Sequence, residues 1–421
     1  MLTKMFFSII CICAGMLPFA IGAQTTSLLI SNTTPVQRTD ELIVLQRSTI
    51  QQKLGKAAFI SASANGKAIT VQHDDINGDG RWDEAVFLLA LSPNSSQLIT
   101  LKTAATNNQQ GATQRAHVRL RKKNADDTFG PYLTHETMPL RHINTDFSKQ
   151  PLPLYLAEGP AWENDKIAFR LYFDIRNGKD IFGKRTSTMM MDTVGAKPKS
   201  NYHQLSNWGM DILHAGKSLG SGALALLVPT STKDTLIRLG GDQVTNTVYQ
   251  QLADGPVRAV FTITYDWLVM GKPMRIVEQT SIWGGQYFYE DKLTVTGAPK
   301  NALLVAGIAS FYNNTFQSFN QGKCGVIFSY GNQSENKDAL GMAIVVPNNN
   351  LAFTGSTPNQ ASEILNTYIS AQHINSSSPC RFRFYGGWEV TDPLFASASY
   401  FKTMLNNEVV KMDTPVIIQF K

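Results

Sequence analysis

Residues Glu158 to Leu219 gather the side chains of this chain best suited to chemistry. The stretch reads EGPAWENDKIAFRLYFDIRNGKDIFGK and then, after a short linker, NYHQLSNWGMDILHAGKSL. It holds two of the six tryptophans and two of the seven histidines, in a chain that is only 17% charged. Ring faces stack on the apolar C–H faces of sugars, and charged groups bind hydroxyls and carboxylates. The combination points to a sugar-binding cleft, with Trp162, Trp208 and Trp388 as stacking platforms. Tryptophan is also a frequent core residue, so a packing role stands beside that one.

Three reactions can be built from these residues. In β-elimination on a uronate, Arg170, Arg176, Lys184 or Lys217 neutralises the carboxylate and acidifies the C5 proton. His203 removes that proton, with Tyr202 as acid or partner base. Hydrolysis needs two carboxylates, and Glu163, Asp174, Asp180 and Asp211 supply candidates. Epimerisation or mutarotation would have His203 and Glu163 exchange a proton pair. The alternatives are a solvated or merely hydrogen-bonded His203 and an exposed loop lysine at 217.

Strands must position these groups. In IAFRLYFDI the period is two: Ile167, Phe169, Leu171 and Phe173 share a face that reads as core. Ala168, Arg170, Tyr172 and Asp174 share the other, which faces either a cleft or solvent. A helical turn from Trp208 to His214 would put Asp211 and His214 on one side. GKSLGSG is not a phosphate-binding loop, because the glycine required five residues before Gly216 is Asp211. GxSxG, HExxH and CxxC patterns are absent, which disfavours serine hydrolases, zinc proteases and thiol redox enzymes.

The 421-residue chain is long enough for two domains. Residues 1–23, with Lys4 before an apolar run and a small-residue end at Ala23, read as a cleavable signal peptide. The expectation is an exported protein, periplasmic or extracellular, without membrane insertion. Export would permit a disulfide between Cys324 and Cys380; two buried free thiols are the alternative. Residues 24–123 carry short alternating runs between Asn, Gly, Ser and Pro clusters, as in a small β-sandwich. Residues 124–153 form a proline-dotted linker. Residues 154–421 read as many long antiparallel strands, hence a large two-sheet sandwich, with a helix near Ala396 to Asn406. The fold class is all-β. The net charge of +6 is modest and its longest basic run, Arg119 to Lys123, reads as a solvated strand end. Nucleic acid is not an expected partner, whereas an acidic oligo- or polysaccharide is.

DDINGDGRWDE, Asp74 to Glu84, places Asp75, Asn77, Asp79 and Asp83 at alternating positions of a glycine-containing loop. That is a donor set for a structural Ca²⁺. It is equally an Asx-rich turn without metal. The glutamate that closes an EF-hand loop is missing, since Val86 stands there. No cofactor is expected for catalysis. His135 and His142, seven apart, are a possible metal pair or two solvated loop histidines.

Together EGPAWENDKIAFRLYFDIRNGKDIFGK, YHQLSNWGMDILHAGKSLGSG, DINGDGRWDEAVF and FYGGWE (Phe384 to Glu389) resemble the secreted bacterial family catalogued as domain of unknown function 4861. The resemblance spans nearly the whole mature chain. It implies a galactose-mutarotase-like supersandwich for the large domain and a place beside lyases and unsaturated-uronyl hydrolases in polysaccharide utilisation. The leading functional expectation is a lyase on acidic glycans. The others are a glycoside hydrolase or epimerase, a non-catalytic glycan-binding protein, and a structural partner in a degradation complex.

Overall fold

Period-two alternation dominates the chain, and it folds into strands. In the hairpin Arg258–Val269 and Lys272–Trp283, buried and half-buried residues alternate over most of both strands. The tip is Met270-Gly271, both at positive φ (51° and 77°), the backbone of a two-residue turn that matches strand twist. This hairpin sits in a nine-stranded antiparallel sheet running from His135–Thr137 at one edge to Gln317–Gln321 at the other. The computed structural model describes residues 24–421 apart from 108, 110, 199, 232, 313–314, 348, 358–362 and 376. Residues 1–23, where a signal peptide is expected, lie outside the described residues.

Two five-stranded sheets pack on one face of the nine-stranded sheet. The first runs Gly209–Asp211, Lys179–Lys184, Ile167–Leu171, Ala161–Asn164, Ala116–Arg119. The second is centred on Ser221–Val228 and Leu303–Ala309. Trp162, Phe169, Leu224 and Leu304 from these sheets join Ile263, Ile276, Leu293 and Phe384 of the large sheet in a single cluster. Each such side chain contributes about 1.5–3 kcal/mol on burial. This is the large all-β sandwich expected from the strand pattern, with two five-stranded sheets facing the nine-stranded one.

A charged island lies inside the apolar layer. Lys179 Nζ donates to Glu278 Oε1 and Asp291 Oδ2, both at 2.7 Å, and Tyr265 donates to Glu278 Oε2. Burial and the neighbouring Glu278 push the Asp291 carboxyl up to about 7 despite Lys179.

A smaller sandwich encloses Leu28, Ile43, Phe87 and Ile99. Its strands divide the chain differently from the boundaries expected at 123 and 154. Ala116–Arg119 pairs with Ala161–Asn164, and His135–Thr137 pairs with Val244–Asp254, so both belong to the large sheets. The last strand, Ile417–Phe420, returns to pair with Thr25–Asn32. Prolines mark turns, but hydrogen-bond pairing decides membership.

Several local expectations are corrected. Trp208 to His214 is not helical but contains the strand Gly209–Asp211. The C-terminal helix is longer than expected, Ala398–Asp413, capped by Ser397. Its Phe401, Leu405 and Val409 pack on Phe288, Phe328 and Tyr385 on the outer face of the large sheet. A helix at Arg47–Leu54 was not expected; it is polar and buries only Ile50 and Leu54. Cys324 and Cys380 are both free and buried. The strand Leu340–Pro347 runs between theirs in the sheet, which prevents bonding.

Trp388 fills the gap between sheets. A Cβ added at Gly183 would lie 2.1 Å from its ring. Gly183→Ala should therefore destabilise the fold by about 1–3 kcal/mol, read as a lower urea midpoint; an unchanged midpoint would show that Trp388 moves freely.

Candidate functional site

The alternation of Ile167–Leu171 holds. Phe169 and Leu171 enter the main core, and Arg170 and Tyr172 point the other way. That other face is not open: Arg170 is 0% exposed. A guanidinium without water must be surrounded by acceptors. Its Nη1 donates to the Ala157 carbonyl, to Glu158 Oε2 and to the Tyr202 hydroxyl, each at 3.2 Å. Its Nη2 donates to the Tyr172 hydroxyl (2.8 Å) and to Asp180 Oδ2, and lies 3.6 Å from Asp211 Oδ2. Burial alone would lower its pKa; Tyr172, Asp180, Tyr202 and Glu158 more than offset this and keep it charged.

Local backbone is bent to deliver these acceptors. Ala157 and Glu158 occupy the left-handed region, at φ 47° and 65°, a cost of about 1–3 kcal/mol each. A second fully buried arginine, Arg119, holds this bend by donating to the carbonyls of Leu156 and Gly159. Its Nε reaches the Met191 carbonyl, tying down the segment that leads to Tyr202. Nearby, His117 is clasped between Asp192 and Asp254. Burial would lower its pKa, but the two carboxylates raise it to about 9.

Above this buried layer opens a pocket of about 500 Å³, within the range of small-ligand sites. Tyr172, Arg176, His203, Asp211, His214, Lys217, Arg238, Glu335 and Glu363 line it. The Arg176 guanidinium lies 3.7 Å from the centre of the Tyr172 ring and bonds Asp174 and Glu158. His203 stands on the rim with 60% of its side chain exposed, its ring 4.5 Å from that of Tyr202 and its Nδ1 3.6 Å from Asp211 Oδ2. Partial burial, then the positive field of Arg170, lowers its pKa below 6.5. It is therefore neutral at neutral pH. Asp211 is raised well above the usual carboxylate range by burial and by Asp180, against the pull of Arg170.

The structure thus brings Arg176, His203, Asp211 and Lys217 into one pocket, with Arg170 beneath it. Tyr202 stands behind His203 and bonds Arg170 instead of lining the pocket. Other candidates fall elsewhere. Trp162 is fully buried and stacked on Phe169. Trp388 is core, donating to Asp338. Trp208 is half-buried against Phe182. None of the three lines this pocket, because each is held by apolar neighbours. Glu163 and Lys184 form a buried ion pair at 2.5 Å, with Glu163 also accepting from the Met190 and Met191 amides, so both are structural. Arg238, Glu335 and Glu363 were missed. They come from segments distant in the sequence, and no local spacing marks them.

The acidic loop behaves as a turn. Asp75 accepts from the amides of Gly78, Asp79 and Gly80, and Asp83 from those of Ile76 and Asn77. Asn77 and Asp79 accept from the amides of Asp79 and Arg81. Among the described residues, no three of His, Cys, Asp or Glu are grouped to hold a metal, which covers Asp75, Asp79 and Asp83 as well as His135 and His142. The side chains that would ligate calcium serve as acceptors for the backbone amides of the loop, a run of Asx turns. No described helix is long and apolar enough to cross a membrane.

Fold and pocket define an all-β supersandwich protein with a charged, histidine-bearing cleft. The chain belongs to the family of the domain of unknown function DUF4861, whose model matches residues 30–418. A relative in Formosa agariphila, "Uncharacterized protein P7", is 24% identical over 346 residues, covering 76% of this chain and 75% of that protein. Among solved structures, an alpha-mannosidase from Enterococcus faecalis V583 aligns with a TM-score of 0.45 at 10% identity, over 94% of this chain and 46% of the mannosidase. A glycosyl hydrolase family 38 protein from Enterococcus faecalis gives 0.44, also at 10% identity, over 94% of this chain and 47% of its own. The chain thus spans about half the length of these two proteins.

Removing Arg170 leaves Glu158, Asp180 and Asp211 without their shared cation. Arg170→Ala should cost about 3–5 kcal/mol in chemical unfolding; a loss under 1 kcal/mol would show the carboxylates to be independent. At the acidic loop, Asp75→Ala should cost about 1–2 kcal/mol by freeing three amides, while chelators should leave Tm unmoved. A chelator-induced drop in Tm would reinstate calcium.

Proposed function

We propose that this protein is an exported carbohydrate-active enzyme that holds an acidic sugar in the pocket and cleaves it by β-elimination. The observation that carries the reading is one pocket holding a neutral histidine, His203, together with the cations Arg176, Lys217 and Arg238. The reaction needs that pairing. Cations neutralise the uronate carboxylate, which acidifies the C5 proton, and a neutral imidazole then accepts it. The C5–H electron pair forms the C4=C5 double bond as the C4–O bond breaks.

Hydrolysis has less support. Of the carboxylates first considered for it, Glu163 is locked to Lys184, Asp174 to Arg176, and Asp180 to Arg170. Only Asp211 reaches the pocket, and a two-carboxylate mechanism would have to pair it with Glu335 or Glu363. The leader at residues 1–23 supports export.

The test incubates the mature protein with polygalacturonate, alginate and hyaluronan. Growth of the unsaturated-uronate absorbance supports elimination. New reducing ends without that absorbance would indicate hydrolysis, and binding without either product would sink the enzyme reading. His203→Ala should lower kcat about 10²–10⁴-fold with the fold intact, since the residue is exposed. Because the His203 pKa is lowered, the acid limb of kcat/KM, where the base becomes protonated, should lie below 6.5. An acid limb above 6.5 would assign the base elsewhere.

A further inference from the structure

Elimination also needs an acid, because the departing C4 oxygen leaves poorly as an alkoxide. Tyr202 was the first candidate. Its hydroxyl accepts from Arg170, burial raises its pKa, and it does not line the pocket. The Tyr172 hydroxyl is likewise bound to Arg170, and burial places its pKa well above that of free tyrosine. Neither can readily give up a proton into the pocket.

A second histidine can. His214 lines the same pocket, and its Nδ1 lies 3.7 Å from Glu335 Oε1. Glu335 is fixed in turn, accepting from the Tyr312 hydroxyl at 2.8 Å while its amide donates to the Ile212 carbonyl. The imidazole is seated edge-on against Phe311, 4.6 Å between centroids, and beside Tyr312 at 5.8 Å. Gly216 makes the seat possible. It lies at φ +46°, and a Cβ there would come within 2.7 Å of the Phe311 ring and 3.3 Å of His214 Nε2. A histidine held by two rings and aimed by a carboxylate is more than a surface residue. The pocket therefore holds two histidine–carboxylate pairs, His203 with Asp211 and His214 with Glu335.

We infer that His214, oriented by Glu335, is the acid that protonates the leaving oxygen while His203 takes the C5 proton. This rests on the elimination reading above. In the balanced step the C5 proton passes to His203 and its electron pair forms the C4=C5 bond. The C4–O bond breaks, and the departing oxygen takes its proton from the His214 imidazolium. His203 ends protonated and His214 neutral, and exchange with water resets both. Glu335 is a positioning residue, acting on the reaction through the imidazole it orients.

The experiment compares wild type, His214→Asn, Glu335→Gln and His203→Asn on whichever uronate polymer is turned over, and on a 4-deoxy-4-fluoro uronide. Fluoride departs without a proton donor. His214→Asn should lose about 10²–10⁴-fold in kcat on the polymer and recover to within about tenfold of wild type on the fluoride. His203→Asn should fail on both. Glu335→Gln should lower kcat on the polymer with little change in KM, and leave the fluoride reaction intact. Wild-type kcat on the polymer in His214→Asn, or equal loss on both substrates in a folded variant, would overturn the assignment while leaving elimination standing. If His214→Asn does not fold, Glu335→Gln decides alone: equal loss on both substrates, or none on either, rejects the pair. Wild type silent on both substrates would remove the elimination reading and this inference with it.

Discussion

A guanidinium cut off from water governs this protein's central region. Arg170 sits on a strand whose other face is hydrophobic core, so its charge cannot reach solvent. Three carboxylates, a carbonyl and two phenols must therefore come to it. They arrive from the bend at residues 157–158, from the adjacent strand Lys179–Lys184, from Gly209–Asp211, and from Tyr202. Each contributor is thereby fixed in position. The pocket floor is the upper surface of this assembly, which is why a site made largely of loop residues has defined geometry. Burial, and then the neighbouring Asp180, keep the Asp211 proton affinity high against the pull of the arginine the two carboxylates share.

The same requirement recurs wherever charge is buried in the large sandwich. Lys179 gathers Glu278 and Asp291, Lys184 gathers Glu163, and Arg119 gathers backbone carbonyls only. The last arrangement is informative. With no carboxylate bonded to it, Arg119 acts as a clamp on two backbone segments, and burial lowers its pKa to about 10. Such networks favour one arrangement of strands over its competitors, because a slipped register would strand a charge in the core.

Strand alternation was legible in the sequence, and it carried the fold class and the split of Phe169 and Leu171 from Arg170 and Tyr172. It could not show whether the polar face meets water or a covering segment, since both leave the same pattern. The tryptophans were misread for a related reason. Neighbouring charges say nothing about facing direction: Glu163 follows Trp162 directly, yet the two point into different layers. Glu163 and Lys184 look like site residues by type, but the strand register makes them partners. Glu335, Glu363 and Arg238 approach the pocket through tertiary folding alone. The acidic loop carried the composition of a calcium site, but its spacing serves a chain of Asx turns equally well.

The pairing of Ile417–Phe420 with Thr25–Asn32 bears on how the molecule is made. A chain emerging from its N-terminus exposes the strand Thr25–Asn32 long before its outer neighbour exists. Until Ile417–Phe420 is made, that strand is an open edge able to recruit the wrong partner. The small sandwich therefore waits for a segment far downstream of its first strand, although most of its core residues appear early.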